Sequence, residues 1–533
     1  MQAARLWILG VALAMSQVAP AQNSGTPAHS IPVSLDPAHS RPFQPYFFGS
    51  NSGHLRNAFN WDDPGFQQAL RGLNFLKTLR FPAGELANFW DWKSGMIDSY
   101  VNDKDKPDKE SNAFPAPLGE LKTELEVTKA EPLFVLNMLT DPVCGNHCKL
   151  TPSSPNLGYQ MQMLDAAHSM GINLKLLELG NEYYIPKDTY EAVYPDPSNG
   201  SQPDAAVLYG RLCTQWIKAI KAKYPDAKIS VVGAHINDKP TDRKAKWLPG
   251  LFDASLNTSR VGGDGRASLQ GADAVTLHVY PGAGLPAAPI LDMEGAEQLL
   301  GAAFKQWDEI KHNDLPLIPK GMPIWFTEFN LHNSDKVPLM GTWAQGLVVA
   351  TMSLLFLEDS RVQMETHHEL VGNAGYGDIF YTADSFSHVD GGEKWNGPPL
   401  QTKQWGKVAM ADALNVIAEA ADGATQAQML TFAGTPTITS TRSSITYPAL
   451  YGWSFSHRSS RSIVILNLCN RALSVDVAHL ISSGNVDEVF GNPATFVTGG
   501  LDGSPSRLNE VRSPLVNASV LTLRPFSIMS VTP

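Results

Sequence analysis

The stretch Leu174-Lys-Leu-Leu-Glu-Leu-Gly-Asn-Glu182 decides the fold of this chain. From Leu174 to Leu179 it is largely apolar, the composition of a strand covered on both faces. It stops at Gly180 and then presents Asn181 and Glu182. A second stretch, Pro323-Ile-Trp-Phe-Thr-Glu-Phe-Asn330, has the same grammar: an apolar strand that delivers one carboxylate, Glu328, at its C-terminal end.

Outward from these two, short apolar runs alternate with helical periodicity. Toward the N-terminus, residues 45–50, 76–81 and 132–139 read as strands, separated by helices over 63–73, 118–129 and 159–170. Toward the C-terminus, 229–235, 274–280 and the more polar 362–368 read as strands, with helices over 205–223, 296–311 and 342–358. In the helix over 205–223, Tyr209, Leu212, Trp216 and Ile220 fall on one face. Eight strands separated by helices predict a (β/α)8 barrel over residues 45–422. An open doubly wound sheet is the alternative, but the first strand is not followed by a Gly-rich nucleotide turn. A last barrel helix is expected over 402–421. Beyond it, residues 423–533 change to short strands and turns, which predicts a β-sandwich domain. Residues 22–44 read as a linker whose strand-like piece, 31–35, could return to that domain.

The chain has 533 residues, is 43% hydrophobic and carries a formal net charge of -11. It is long enough for two domains, and the acidic balance argues against nucleic acid as a partner. Arg5, an apolar run over 6–14 and Ala19-Pro20-Ala21 read as a secretory signal over residues 1–21. The mature protein is then secreted or periplasmic, with no membrane attachment once the leader is cleaved. Cys144 and Cys148 are close enough for a local disulfide in an exported protein. Cys213 and Cys469 read as core thiols. Asn257 and Asn517 head glycosylation sequons.

The active face of such a barrel is at the C-terminal ends of its strands. Those ends carry Arg80 (second strand), Asn137 (third), Asn181 and Glu182 (fourth), His235 (fifth), His278 and Tyr280 (sixth), Glu328 and Asn330 (seventh), and Glu365, His367 and His368 (eighth). Trp90 and Trp92, in the loop after the second strand, could stack on a sugar face. The fourth and seventh strands lie across the barrel mouth, so Glu182 and Glu328 can meet over one substrate. That is the requirement of glycoside hydrolysis with retention, which needs one carboxylate nucleophile and one acid/base. Asn181 would hold the sugar 2-hydroxyl, and Arg80 and Tyr280 would keep Glu328 ionised. No cofactor or metal is called for. A metal-dependent barrel hydrolase would need ligands that Glu365, His367 and His368 do not supply, because adjacent strand residues point to opposite faces. A non-catalytic carbohydrate-binding barrel is the alternative of another class.

Gly-Asn-Glu on the fourth strand, Thr-Glu-Phe on the seventh and His-x-Tyr on the sixth resemble the clan A retaining glycoside hydrolases. The resemblance spans the barrel and the trailing β-domain, and within the clan it points to the heparanase and β-glucuronidase branch and to the α-L-arabinofuranosidase branch. Leu79-Arg-Phe-Pro-Ala-Gly84 is similar to the second-strand motif, with Ala83-Gly84 where a Gly pair is usual. The resemblance implies Glu182 as acid/base, Glu328 as nucleophile, Tyr280 as a hydrogen-bond donor to the nucleophile, and a carbohydrate substrate. A β-glucuronidase or heparanase-like activity is the first expectation, and an α-L-arabinofuranosidase or β-xylosidase the alternative.

Overall fold

Eight short segments pair in sequence order as one parallel sheet. The computed structural model describes residues 30–53, 63–93, 95, 118–139, 156–196, 203–236, 241–282, 293–332, 341–371, 379–381, 405–493, 498–500, 508–516 and 519–533. With an N-terminal strand β1 (Ile31–Pro42) counted first, the barrel strands are β2 (Gly49–Asn51), β3 (Thr78–Phe81), β4 (Glu131–Leu136), β5 (Leu176–Leu179), β6 (Lys228–Val232), β7 (Ala274–Val279), β8 (Ile324–Phe329) and β9 (Val362–Glu365). The sheet closes on itself. Glu365 N donates to Phe47 O at 2.7 Å, His367 N to Gly49 O at 3.1 Å and Asn51 N to His367 O at 2.9 Å, which joins the end of β9 to β2. The eight strands expected from the apolar runs are all present, each within a few residues of its expected span.

The helices follow from capping and patterning. Asp63 accepts from Gly65 N and Phe66 N at 2.8 and 3.0 Å and so starts helix Pro64–Arg71. Helix Ala205–Lys223 buries Tyr209, Cys213, Trp216 and Ile220 against the barrel. Helix Trp343–Leu355 is buried at every position, packed between helices Met293–Glu309 and Ala409–Ala421 and against the β-domain. There Trp343 Nε1 donates to Phe526 O at 2.7 Å.

The second domain is a mixed sheet of nine strands that wraps around its own core. Val33, Ile463, Ile465, Val475, Leu521, Leu523 and Val531 meet in that core. The stretch read as a linker is largely strand. β1 pairs antiparallel with Gln426–Phe432, with a register break between Leu35 and Ser40, and parallel with Leu473–Asp476 on its other edge. The helix expected over 402–421 is shorter, Ala409–Ala421. It is preceded by a strand, Trp405–Val408, paired with Ile379–Tyr381 and Thr498–Gly500.

Cys213 and Cys469 are buried free thiols. Asn257 is 4% exposed, and its amide is engaged by Arg211, Asp264 and Arg266, which leaves no room for a glycan. The expected leader, the Cys144 and Cys148 pair and Asn517 lie outside the described residues. No helix among the described residues is long and apolar enough to cross a membrane.

Candidate active site

Arg80 is the hub of the barrel mouth. It is fully buried, and its five N–H groups make five hydrogen bonds. Nε and Nη2 grip the two oxygens of Glu178 at 2.6 and 3.1 Å. Nη1 donates to Asn51 Oδ1 at 2.6 Å and to Glu328 Oε1 at 2.7 Å. Nη2 also donates to Asn181 Oδ1 at 2.8 Å. Burial alone would lower the guanidinium pKa, but Glu178 and Glu328 outweigh it and hold the charge firmly in place.

Glu328 takes its second hydrogen bond on Oε2, from Tyr280 OH at 2.9 Å. Its carboxyl is held well below the ordinary range. Burial opposes ionisation, and His278, Arg80 and His368 overcome it. His368 Nδ1 lies 4.0 Å from Oε2.

Glu182 follows a sharp turn. Gly180 has φ +89°, and a Cβ there would fall 2.2 Å from the Tyr183 ring, so only glycine fits. Glu182 itself has φ +52°, a left-handed backbone that non-glycine residues adopt at a cost of about 1 kcal/mol or more. Asn88 clamps the preceding residue, donating from Nδ2 to Asn181 O at 2.9 Å and accepting from Asn181 N at 3.1 Å. The turn aims the Glu182 carboxyl back over the barrel, where Oε1 meets Tyr184 OH at 2.8 Å and His278 Nδ1 at 2.9 Å. Ligating atoms of Glu182, His278 and Glu328 lie within 4.8 Å of one another.

The hydrogen bonds fix where the protons sit. Thr327 OH donates to Glu178 Oε1 at 3.1 Å. Its one proton is thus committed, and at 3.0 Å from His278 Nε2 its oxygen can only accept. His278 therefore carries a proton on Nε2, and a further single proton lies on the Nδ1···Oε1 line to Glu182. With that proton on His278, the pair is an imidazolium and a carboxylate. Burial favours the neutral forms. The His278 hydrogen bond lowers the Glu182 pKa, and the charges of Glu328 and Glu182 raise that of His278. The trio has the spacing to contact a cation, but Arg80 already balances Glu328, and Glu182 is bound to His278.

Arg80, Asn181, Glu182, His278, Tyr280 and Glu328 are thus brought together. Other strand-end residues take different places. Asn137 turns Oδ1 onto Leu139 N at 3.0 Å. Asn330 braces the strand end, donating to His368 O and accepting from Gln345 Nε2 at 3.1 Å. Trp90 is buried edge-on to Phe81, with ring centroids 5.2 Å apart, and Trp92 packs against Tyr159. The contacts of these four are with the surrounding loops and strand ends. His367 donates from Nδ1 to Gly49 O at 2.8 Å and helps close the barrel. Glu365 accepts from Ser353 Oγ at 3.0 Å. His235 is held by Asp314 Oδ2 at 2.6 Å.

Sequence reading missed Glu178, Thr327, Asn51 and Asn88. Glu178 had a signal: a lone carboxylate inside an apolar strand demands a buried cation, and Arg80 stands in an equally apolar strand. Thr327 was hidden by alternation, since neighbours on a regular strand face opposite ways. A bulge breaks that rule. Leu277 pairs with Phe326 but His278 with Glu328, so Thr327 is the extra residue and both side chains reach the mouth.

No protein-family model matches this sequence, and no curated protein matches it. Solved structures do. An α-L-arabinofuranosidase from Thermotoga maritima superposes with a TM-score of 0.61 at 14% identity, over 94% of this chain and 99% of that one. A family 51 α-L-arabinofuranosidase from Bifidobacterium longum gives 0.64 at 16%, over 95% and 99%. A 4-O-α-L-rhamnosyl-β-D-glucuronidase from Fusarium oxysporum 12S gives 0.57 at 12%, over 95% and 99%. The likeness is one of fold, and it takes in both domains. The chain shares the barrel-and-β-domain fold of these solved glycoside hydrolases.

Proposed function

We propose that this protein is a retaining O-glycoside hydrolase, with Glu328 as nucleophile and Glu182 as acid/base. The observation that carries the reading is the approach of the Glu182 and Glu328 oxygens, within 4.8 Å. Retaining enzymes hold their carboxyls about 5–5.5 Å apart, whereas inverting ones leave about 6.5–9.5 Å for a water.

Glu328, ionised and steered by Arg80 and Tyr280, attacks the anomeric carbon. The bond to the leaving oxygen breaks as Glu182 protonates that oxygen. Substrate covering the mouth removes water from the His278–Glu182 pair. In the drier site the neutral pair is the cheaper one, and the shared proton moves onto Glu182. Ester formation then cancels the charge of Glu328, which lowers the Glu182 pKa and makes it the base for the attacking water. Water breaks the ester and releases the sugar with its configuration retained. Asn181 Nδ2 is buried and without a partner among the described residues. It is the donor that a sugar 2-hydroxyl would satisfy, which adds stabilisation in the transition state.

For the sugar at the cleaved bond we favour a neutral pentose such as α-L-arabinofuranose over the β-D-glucuronide. Arg80 is saturated by protein acceptors and cannot also take a uronate carboxylate. The arabinofuranosidases among the structural neighbours support the same reading. The test is an aryl-glycoside panel on the mature chain: α-L-arabinofuranoside, β-D-xyloside, β-D-glucuronide, β-D-glucoside and β-D-galactoside. One substrate should be hydrolysed with retention by NMR, unaffected by EDTA, and not by Glu328→Gln. Turnover surviving in Glu328→Gln, or inversion, would sink the assignment. A β-D-glucuronide as the one substrate would overturn the choice of sugar alone.

A further inference from the structure

Beside Glu182 lies a cavity of about 260 Å³, lined by Glu182, Tyr184, Thr241, Lys244, His235 and Tyr280 among others. Its size is close to the lower end of small-molecule sites, roughly 300–1,000 Å³, which suits one sugar ring. Its described walls carry the acid/base but not Glu328. In a retaining mechanism the nucleophile lies under the anomeric carbon and the acid beside the leaving oxygen. A cavity that borders the second without the first is on the leaving-group side.

The notable member of that wall is Lys244. It sits in the first turn of helix Asp242–Phe252, half-buried, with its ammonium 5.5 Å from the centroid of the Tyr184 ring. It has no ion-pair partner among the described residues. The carboxylates nearby are committed elsewhere. Glu182 is bonded to His278 and Tyr184, and the fully buried Asp314 holds His235 Nδ1 and Ile236 N at 2.6 and 2.8 Å. Gln306 closes on the other nitrogen of His235 at 2.7 Å, so that ring is fixed as part of the wall. Burial lowers the Lys244 pKa, and the attraction of Glu182 and Asp314 does not cancel the effect. A partly desolvated, unpaired cation at a helix start, where the helix dipole also disfavours it, is poorly satisfied by the protein alone. An oxyanion in the cavity would satisfy it.

We propose that this cavity binds an anionic sugar residue on the leaving-group side of the cleaved bond, with Lys244 recognising its charge. The assignment of side rests on the retaining-hydrolase reading; the presence of an anion site does not. A uronate carboxylate and a sulfate ester share the required chemistry. The substrate is then a neutral glycosyl group borne on an acidic glycan.

Two measurements on the full mature chain test this separately from the hydrolase reading. The first is calorimetric titration with sodium D-glucuronate, glucose 6-sulfate and glucose. At least one anion should bind more tightly than glucose. Lys244→Gln should weaken that binding roughly ten- to a hundredfold, the range for a lost charged hydrogen bond. Lys244→Arg should retain most of it, and glucose binding should not change. The two anions distinguish carboxylate from sulfate. Equal binding of glucose and both anions, or no effect of Lys244→Gln, overturns the proposal even if the enzyme cleaves glycosides. The second compares kcat/KM for aryl glycosides whose leaving group bears a carboxylate or a carboxamide. Lys244→Gln should depress only the former, and an equal loss on both would overturn the leaving-group placement. Anion binding without hydrolysis of any glycoside would instead count against the hydrolase reading.

Discussion

Thr327 OH donates to the buried carboxylate of Glu178 across the barrel mouth at 3.1 Å. The bond looks structural, yet it bears on the protonation of the proposed acid/base, Glu182. Because the Thr327 proton points at Glu178, its oxygen must accept from His278 Nε2, and His278 can then exchange only its Nδ1 proton with Glu182. Thr327→Val keeps the shape and removes the acceptor. We expect kcat/KM to fall about tenfold, the effect of one unsatisfied buried donor. The alkaline limb of the pH profile should move down, since the imidazolium loses a stabilising partner. Thr327→Ser should restore both. An unchanged limb in Thr327→Val would show that this hydroxyl does not set the protonation of His278.

The pH profile of His278→Gln follows from the same network. In the wild type the alkaline limb is the loss of the proton shared by His278 and Glu182. The His278 pKa is raised, with burial opposing and Glu328 and Glu182 prevailing. The limb should therefore lie above the ordinary histidine value of about 6.5. Removing His278 leaves Glu182 as the only carrier of that proton. A proton with one site in place of two is lost at lower pH, so the limb must move down. A kcat/KM profile in which it stays or rises would show that the two groups do not share a proton.

The barrel and the two glutamates were legible because they rest on rules that hold locally. Apolar runs mark buried parallel strands, and strand ends mark the active face. What was not legible depends on departures from regular geometry. The bulge at Thr327 turns an outward residue inward, and no residue type announces it. Asn137 and Asn330 stand at equivalent strand ends to Asn181, but their side chains turn back onto the backbone or onto a neighbouring helix, a difference made by loops and not by the strands. Lys244 belongs to a helix start beyond the fifth strand, where nothing in the local pattern separates it from a surface lysine. Within residues 22–44, only the strand-like piece around Val33 hinted that β1 pairs with Gln426–Phe432.

Glu182→Ala should separate the two half-reactions. The nucleophile remains ionised, so substrates with leaving groups that need no protonation, such as 2,4-dinitrophenyl glycosides, should still form the glycosyl-enzyme. Substrates with poor leaving groups should slow by about 10²–10⁴, the range for general acid catalysis. Azide should restore turnover by attacking the ester in place of activated water, and the glycosyl azide should keep the starting configuration. A uniform loss across leaving groups, with no azide effect, would remove Glu182 from the acid/base role.

Glu178 and Glu328 share one arginine but should differ in what their loss does to stability. Glu178 engages Arg80 through two bonds inside a fully buried site, so Glu178→Ala strands half of a buried cation and should cost roughly 3–5 kcal/mol. Glu328→Gln keeps an acceptor for Arg80 and should cost less. Its cost should also depend on pH. The folded-state pKa of Glu328 is depressed, because His278, Arg80 and His368 overcome the burial penalty. A depressed carboxylate contributes stability that is fully present above its unfolded value, about 4.3, and that is lost as pH falls from there toward the folded pKa. Urea unfolding of wild type and Glu328→Gln at pH 7 and near pH 3.5 should therefore show a gap in stability that narrows on acidification. A gap that stays constant or widens would mean that Glu328 is not held as a carboxylate by these cations, and its role as nucleophile would lose its electrostatic basis.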